Sequence, residues 1–302
     1  MNVVELVQIA VGLAVALPTP AAVRPMKVRS DTVCSLANAS GRGAIVSIPF
    51  RNVDGRVYVS ARVNGRGPFT FAVDSGASGM ARADIRLVAA LKLQPEGRRE
   101  TSDGITTAAV PTVRLATVGI GRLKHTSLDV ITRDYNRNSR PEAAIAGILG
   151  REFFADGLLV IDYRRNRLIF TQSRSLASGI PGAVAYARPF RVRTLIGAVE
   201  TLGNVDTGAN VAVVVPRPLF EAASAGQTGE ERNGTLTNTT IRTFKATLSV
   251  PVRIGDLVLT EAEARVSGNF PELLIGGPAL TGSALLIDQR SHTLAICPPR
   301  RR

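Results

Sequence analysis

The stretch that decides the fold of this chain occurs twice, as Phe71-Ala72-Val73-Asp74-Ser75-Gly76-Ala77-Ser78 and as Leu202-Gly203-Asn204-Val205-Asp206-Thr207-Gly208-Ala209-Asn210. In each copy an apolar run typical of a strand delivers an aspartate to a small hydroxyl residue, followed by Gly and Ala. A carboxylate at the end of a buried strand is costly to desolvate unless it is hydrogen-bonded or protonated. Packing alone therefore explains two such arrangements poorly.

Further landmarks around the two copies indicate an internal duplication. They are the pairs Val118-Gly119-Ile120-Gly121 with Val252-Arg253-Ile254-Gly255, Ile148-Leu149-Gly150 with Leu274-Ile275-Gly276, and Val160-Ile161-Asp162 with Leu286-Ile287-Asp288. Together with the two aspartate motifs, they keep one order and an offset of 126 to 134 residues. A single three-residue match is weak evidence, but four matches in one order predict two homologous halves.

The composition favours a mainly β protein. The chain has 302 residues, no Trp and few aromatic residues, and its apolar residues alternate with polar ones over short runs. This pattern is typical of short strands rather than long amphipathic helices, and the length suffices for two lobes. We expect strands at 44–50, 57–63 and 69–73, and helices at 81–91 and 216–225.

The expected domain organisation follows the duplication. A signal peptide or anchor with a linker occupies residues 1–43, the first lobe 44–172, a second linker 173–187, the second lobe 188–297 and a basic tail 298–302.

The amino-terminal segment predicts export. Residues 3–17 are mostly apolar and are followed by Pro and Ala residues, as in the apolar core and cleavage site of a signal peptide. Glu5 stands where a basic residue is usual, so an uncleaved membrane anchor or an amphipathic helix remains an alternative. Export to the periplasm or beyond the cell would make Cys34 and Cys297 a candidate disulfide.

The charge balance limits the possible partners. The formal net charge is +13, but the Arg residues are spread along the chain, and no basic patch interleaved with aromatic residues is present. A solvated basic surface is therefore favoured over specific nucleic-acid binding. Such a surface would also attract acidic substrates or an anionic membrane surface.

The two His and two Cys residues lie far apart in the sequence. This spacing disfavours a zinc site, a Ser-His-Asp triad and a Cys-His nucleophile. We expect neither a metal nor a cofactor.

The paired motifs resemble those of the aspartic peptidases, in the retropepsin-like and pepsin-like superfamily. That pattern is two apolar residues, Asp, Thr or Ser, Gly, and Ala or Ser, with an apolar-apolar-Gly segment later in each lobe. The resemblance spans about residues 44–296. It implies two acid-protease-like β-barrel lobes with a cleft between them and a monomer whose catalytic dyad, Asp74 and Asp206, is intramolecular. Its substrate would be a polypeptide.

The chemistry of these residue types supports the same function independently of the resemblance. Two carboxylates held close together share a proton, so one can act as a base and the other as an acid. The hydroxyls of Ser75 and Thr207 could bond neighbouring backbone and hold the loops together. Gly76 and Gly208 let the backbone approach the carboxylates.

The resemblance also implies supporting segments. Ile148, Leu149 and Gly150, with Leu274, Ile275 and Gly276, would pack behind the loops and fix the aspartates. The exposed segment 101–107 is the candidate flap, with Gly104 and Ile105 at its tip and no Tyr, and 233–237 is its counterpart in the second lobe.

Two other interpretations remain open. Asp-Ser-Gly and Asp-Thr-Gly are also common turn sequences, in which the Asp side chain caps a backbone amide. The same two-lobed fold could also serve a catalytically weak protein that binds peptides or envelope components through its cleft.

Overall fold

A computed structural model describes residues 31–38 and 43–299. The first half comprises helices α1 (Asp31–Asn38) and α2 (Ile85–Leu91), 3₁₀ helices Pro141–Ala143 and Arg151–Phe154, and strands β1 (Val46–Pro49), β2 (Arg51–Val53), β3 (Arg56–Val63), β4 (Arg66–Val73), β5 (Ala81–Asp84), β6 (Pro95–Ser102), β7 (Thr107–Ile120), β8 (Leu123–Arg133), β9 (Gly147–Leu149), β10 (Leu158–Asp162) and β11 (Arg167–Thr171).

The second half comprises helix α3 (Arg217–Ala222), the 3₁₀ helix Gly277–Leu280, and strands β12 (Ala183–Arg188), β13 (Arg191–Ile196), β14 (Val199–Asp206), β15 (Val213–Pro216), β16 (Glu231–Thr235), β17 (Thr240–Thr247), β18 (Val252–Ile254), β19 (Leu257–Leu259), β20 (Glu263–Ser267), β21 (Leu273–Gly276), β22 (Ala284–Asp288) and β23 (Thr293–Cys297). The expectation of a mainly β, barrel-like fold with two lobes is confirmed.

The first lobe is one sheet of eight strands in the order β2-β3-β4-β9-β5-β8-β7-β6. Strand β4, which ends one residue before Asp74, runs parallel to β9 and pairs Val73 with Leu149. Strand β5 leaves the aspartate loop on the other side of β9 and runs antiparallel to it. The loop that carries Asp74 therefore connects β4 and β5, which lie on either side of β9.

The second lobe repeats this arrangement. The order β13-β14-β21-β15-β20-β17-β16 corresponds to β3-β4-β9-β5-β8-β7-β6. Asp206 pairs with Gly276 across the parallel strands β14 and β21. Both aspartates thus stand at the same topological position of their lobes.

A third group of strands joins the two lobes. Strands β1, β11, β10, β22, β23 and β12 pair in this order, with β10 antiparallel to β22 at the centre. Every residue of these two central strands is buried. The last hairpin of each half therefore belongs to a shared sheet rather than to its own barrel.

The Ile-Asp landmark of the duplication marks the ends of β10 and β22. The Asp162 carboxylate accepts hydrogen bonds from the backbone and side chain of Arg164, and Asp288 is bonded in the same way by Arg290. Both carboxylates are almost fully buried, and these ion pairs compensate the cost of burial. The landmark is therefore part of the scaffold.

Two sequence expectations differ from the structure. Residues 81–84 of the expected helix 81–91 form strand β5, because pairing with β8 and β9 outweighs local helix propensity. The Asp84 side chain then caps α2 by accepting a hydrogen bond from the Arg86 N–H. The expected helix 216–225 is likewise shorter, and the expected linker 173–187 contains the first five residues of β12.

Helix α1 is held on the shared sheet. Val33 and Ala37 pack into an apolar cluster with residues of β10, β22 and β23. A disulfide joins Cys34 to Cys297 over a sequence separation of 263 residues. The start and end of the described chain are therefore covalently tied.

No helix in the described ranges has the length and apolar character needed to span a membrane. The apolar run 3–17 and residues 300–302 of the basic tail lie outside those ranges.

We predict that replacing both cysteines by serine lowers the free energy of unfolding by up to about 5 kcal/mol, because the disulfide closes a very long loop in the unfolded chain. Thermal unfolding with and without a reducing agent measures this loss. The oxidised wild type should melt at a higher temperature than both the reduced wild type and the variant. Equal melting temperatures in all three would contradict the prediction.

Candidate active site

Reciprocal hydrogen bonds between Ser75 and Thr207 join the two aspartate loops. The Ser75 hydroxyl accepts from the backbone N–H of Thr207 at 3.0 Å and donates to the Val205 carbonyl at 2.9 Å. The Thr207 hydroxyl accepts from the backbone N–H of Ser75 at 3.0 Å and donates to the Val73 carbonyl at 2.8 Å. Both side chains are buried, so four polar backbone groups depend on these two hydroxyls.

These four hydrogen bonds place Asp74 and Asp206 opposite each other. Asp74 Oδ1 accepts from the Ala77 N–H at 2.9 Å, and Asp206 Oδ1 accepts from the Gly208 N–H at 2.8 Å. The two carboxylates are close enough to share a hydrogen bond. Both side chains keep part of their surface accessible, so a ligand in the cleft can reach them.

The glycine after each hydroxyl residue is required by this close approach. A Cβ atom on Gly76 would clash with the carboxylate of Asp206, and one on Gly208 would clash with the carboxylate of Asp74. Each aspartate is thus packed against the backbone of the opposite loop.

The two apolar-apolar-Gly segments lie behind the loops. The backbone N–H of Asp74 donates to the Leu149 carbonyl at 3.0 Å, and Gly150 and Gly276 leave no room for a Cβ atom against neighbouring carbonyls. Leu149 and Ile275 belong to the main core. Their neighbours Ile148 and Leu274 instead join small apolar clusters that include Ala77 and Ala209 of the aspartate loops.

The environment makes Asp206 a weak acid. Burial raises its pKa from 3.8 to about 7, and the negative charge of Asp74 adds to this effect, while the N–H of Gly208 acts in the opposite direction. Close carboxylates cannot both ionise cheaply, so the pair retains a proton over a wide pH range. An arrangement of this kind can supply a base and an acid at one point.

Two hairpin tips, one from each lobe, contact each other. Gly104 and Ile105 lie at the exposed tip between β6 and β7, as expected for the candidate flap. Asn238, at the tip between β16 and β17, donates its backbone N–H to Asp103 Oδ2 at 2.8 Å. Its side-chain amide donates to the carbonyls of Thr101 and Thr106 at 2.9 and 2.8 Å. The two lobes are therefore bridged at the hairpin tips.

Three side chains near the aspartate loops were not singled out from the sequence. They are Arg82 on β5, Arg133 at the end of β8 and Tyr135 just beyond it. Asn238 was missed as well, because the expected second hairpin was placed at 233–237. The duplication could have pointed to Asn238, whereas only the strand pairing brings the arginines together.

Within the described part of the chain, no three His, Cys, Asp or Glu side chains are grouped so that they could hold a metal ion.

Comparison with known proteins gives one family match. Residues 59–153 match the family model described as aspartyl protease. The matched segment contains Asp74, the candidate flap and Ile148-Leu149-Gly150. It supports an aspartyl protease relationship, and hence a hydrolase acting on peptide bonds. No curated protein matched the chain.

We predict that Thr207→Val lowers the free energy of unfolding by about 2–4 kcal/mol, because it leaves the Ser75 N–H and the Val73 carbonyl buried without a partner. Thr207→Ser retains the hydroxyl and is the matched control, with a loss below about 1.5 kcal/mol. Urea unfolding measures both values. Equal stability of the two variants would show that the hydroxyl does not hold the loops.

We predict that Asp206→Asn gains stability relative to the wild type as the pH rises. In the wild type the folded state keeps a proton that the unfolded chain has released, so this group's contribution is complete below about pH 4 and is lost as the pH passes about 7. Asparagine cannot ionise. The free energy of unfolding of the variant relative to that of the wild type should therefore be roughly 2–4 kcal/mol higher at pH 8 than at pH 4.

Urea unfolding at the two pH values measures this difference. The control is Asp129→Asn, at an exposed carboxylate that pairs with Arg114. A gain in stability that is the same for both variants would contradict a raised pKa at Asp206.

Proposed function

We propose that the protein is an aspartic endopeptidase in which Asp74 and Asp206 form one catalytic dyad. The observation that carries this proposal is the pair of aspartate loops, bonded to each other by Ser75 and Thr207, with their carboxylates facing. The aspartyl protease match over residues 59–153 supports it independently.

The proposed reaction needs one proton on the dyad. The raised pKa of Asp206 favours the state in which one carboxyl is protonated and the other ionised at neutral and acidic pH. The ionised carboxylate removes a proton from a water molecule, whose oxygen attacks the peptide carbonyl carbon. The protonated carboxyl donates to the carbonyl oxygen. Transfer of a proton to the amide nitrogen then allows the carbon–nitrogen bond to break.

The substrate would be an extended polypeptide between the lobes. The hairpins β6–β7 and β16–β17 come from different lobes and are bridged at their tips by Asn238, so we infer that they cover a bound chain from both sides. Because a single chain supplies both aspartates, we infer that the active form is a monomer.

An oxidising compartment fits the same proposal. The Cys34–Cys297 disulfide is of a kind that persists in exported proteins, and the apolar run 3–17 is typical of an export signal or membrane anchor. We infer that the protein acts outside the cytoplasm.

We predict that Asp74→Asn and Asp206→Asn each lower kcat by about 10²- to 10⁴-fold, because each removes one partner of the acid–base pair. Cleavage of a peptide library by the wild type and the variants measures this, with Asp129→Asn as the control that retains activity. A pepstatin-like inhibitor should block the wild type, and a chelator should not.

Activity that survives either dyad substitution would overturn the assignment. Binding of peptides by the wild type without any cleavage would instead indicate a peptide-binding protein.

A further inference from the structure

Arg82 lies beside the candidate dyad on the face of the first lobe that carries Ile148. In the sheet, Arg82 pairs with Ile148 on one side and with Ile131 on the other, so these three side chains share a face. Ile148 belongs to a small apolar cluster that includes Ala77 of the aspartate loop and against which Tyr135 packs. The face that bears Arg82 therefore adjoins the Asp74 loop.

The Arg82 guanidinium is buried and only partly bonded. Its residue exposure is 8%. One terminal nitrogen, Nη2, donates to the carbonyl of Ser78 in the aspartate loop at a long 3.5 Å, and Nε has no partner. Burial of a cation with unmade hydrogen bonds is costly, so such a group is rare without a ligand or a functional reason.

Arg133 brings a second guanidinium to the same place. It lies two residues after Ile131 on β8, and therefore on the face of Arg82. Its Nη1 donates to the Thr237 carbonyl of the second-lobe hairpin at 3.4 Å, which places the side chain between the lobes. Its Nε and Nη2 are buried and lack partners.

Tyr135 connects these cations with the dyad. Burial raises its pKa to about 12, the positive charges of Arg82 and Arg133 and a hydrogen bond with the Arg82 side chain lower it, and the negative charge of Asp74 raises it. All three charges are thus close enough to affect one hydroxyl. Tyr135 is fixed from the other side, since its N–H donates to Asp84 Oδ2 at 2.9 Å.

No carboxylate in the described part of the chain pairs with either arginine. The ion pairs among the described residues use other cations, and the buried carboxylate of Asp84, two residues after Arg82, accepts from the N–H groups of Arg86 and Tyr135. Arginine stays charged at any physiological pH, so burial cannot neutralise these groups. The group that satisfies a guanidinium best is a carboxylate, which binds it through two parallel hydrogen bonds.

We propose that Arg82 and Arg133 form a specificity pocket that binds an Asp or Glu side chain of the substrate on the first-lobe side of the scissile bond. The proposal rests on the proposed peptidase function. A substrate carboxylate in this pocket would meet the unused Nε of Arg82 and the unused Nε and Nη2 of Arg133, and the Tyr135 hydroxyl would border it.

The second lobe provides a different surface at the corresponding position. Val214 pairs with Leu274 as Arg82 pairs with Ile148, and Ser267 stands where Arg133 does. A single arginine, Arg265, occupies the place of Ile131, and its Nη1 is buried without a partner. The pocket with two guanidinium groups is therefore confined to the first-lobe side, and the two sides of the substrate should be recognised differently.

The test uses extended octapeptides that differ only in having Glu or Gln at one position. The proteins are the wild type, Arg82→Leu, Arg133→Gln and Arg265→Gln, with Arg193→Gln as the control for net charge. Arg193 is an exposed residue that pairs with Glu200. Cleavage gives kcat/KM for each peptide, and binding is measured separately with the same substitutions made in Asp206→Asn protein.

The wild type should prefer Glu over Gln at one position by roughly 10- to 100-fold, the usual worth of a charge-assisted hydrogen bond. Arg82→Leu and Arg133→Gln should each abolish this preference, so that Glu and Gln peptides are cleaved with equal kcat/KM by each variant. Arg265→Gln should leave it unchanged, and so should Arg193→Gln.

The experiment distinguishes failure of the pocket hypothesis from failure of the peptidase hypothesis. Equal kcat/KM for Glu and Gln peptides in the wild type, or a preference that survives both Arg82→Leu and Arg133→Gln, would overturn the pocket and leave the peptidase intact. If no peptide is cleaved, the Asp206→Asn binding series still decides the pocket: a Glu preference that depends on Arg82 and Arg133 supports it, and its absence overturns it. Arg133→Gln keeps the test valid if Arg82→Leu does not fold.

Discussion

The exchange of hydrogen bonds between Ser75 and Thr207 is the interaction on which the candidate active site depends. Each hydroxyl serves one N–H of the opposite loop and one carbonyl of the strand that leads into it. Because these groups are buried, a relative shift of the lobes would leave several of them unsatisfied at once. The bonds therefore fix the separation of Asp74 and Asp206. The shared sheet centred on β10 and β22 supplies the rigid base that makes this precision possible.

This geometry determines the charge distribution around the two aspartates. Loops held so closely force two carboxylates into one poorly solvated space, which favours a shared proton. Two guanidinium groups with buried nitrogen atoms that lack hydrogen-bond partners lie beside the same space, on the face of the first lobe that carries Ile148. The protein thus places two buried cations next to an acidic pair that shares one proton, and the proposed preference for an acidic peptide rests on this combination.

The sequence was sufficient to predict two lobes and to single out Asp74 and Asp206 as candidate site residues. Both rest on local patterns, namely Asp-Ser/Thr-Gly after an apolar run and an apolar-apolar-Gly segment at a constant offset. It did not predict Arg82 as a pocket residue, because Ala81–Asp84 has the local composition of a helix and becomes a strand only through pairing with β8 and β9. The shared sheet and the bonds of Asn238 to the first-lobe hairpin were missed for the same reason. Their positions depend on contacts between residues more than 100 positions apart, which local patterns do not encode.

Titration of the two carboxyl groups shows directly whether Asp74 and Asp206 share a proton. Carbon-13 NMR of protein labelled at aspartate, with Asp74→Asn and Asp206→Asn used to assign the signals, follows their ionisation from pH 2 to pH 9. The account predicts that the pair loses its protons in two well-separated steps, the second near pH 7. Loss of both protons in one step near pH 4, unaffected by either substitution, would show that the two aspartates are independent and would contradict the account.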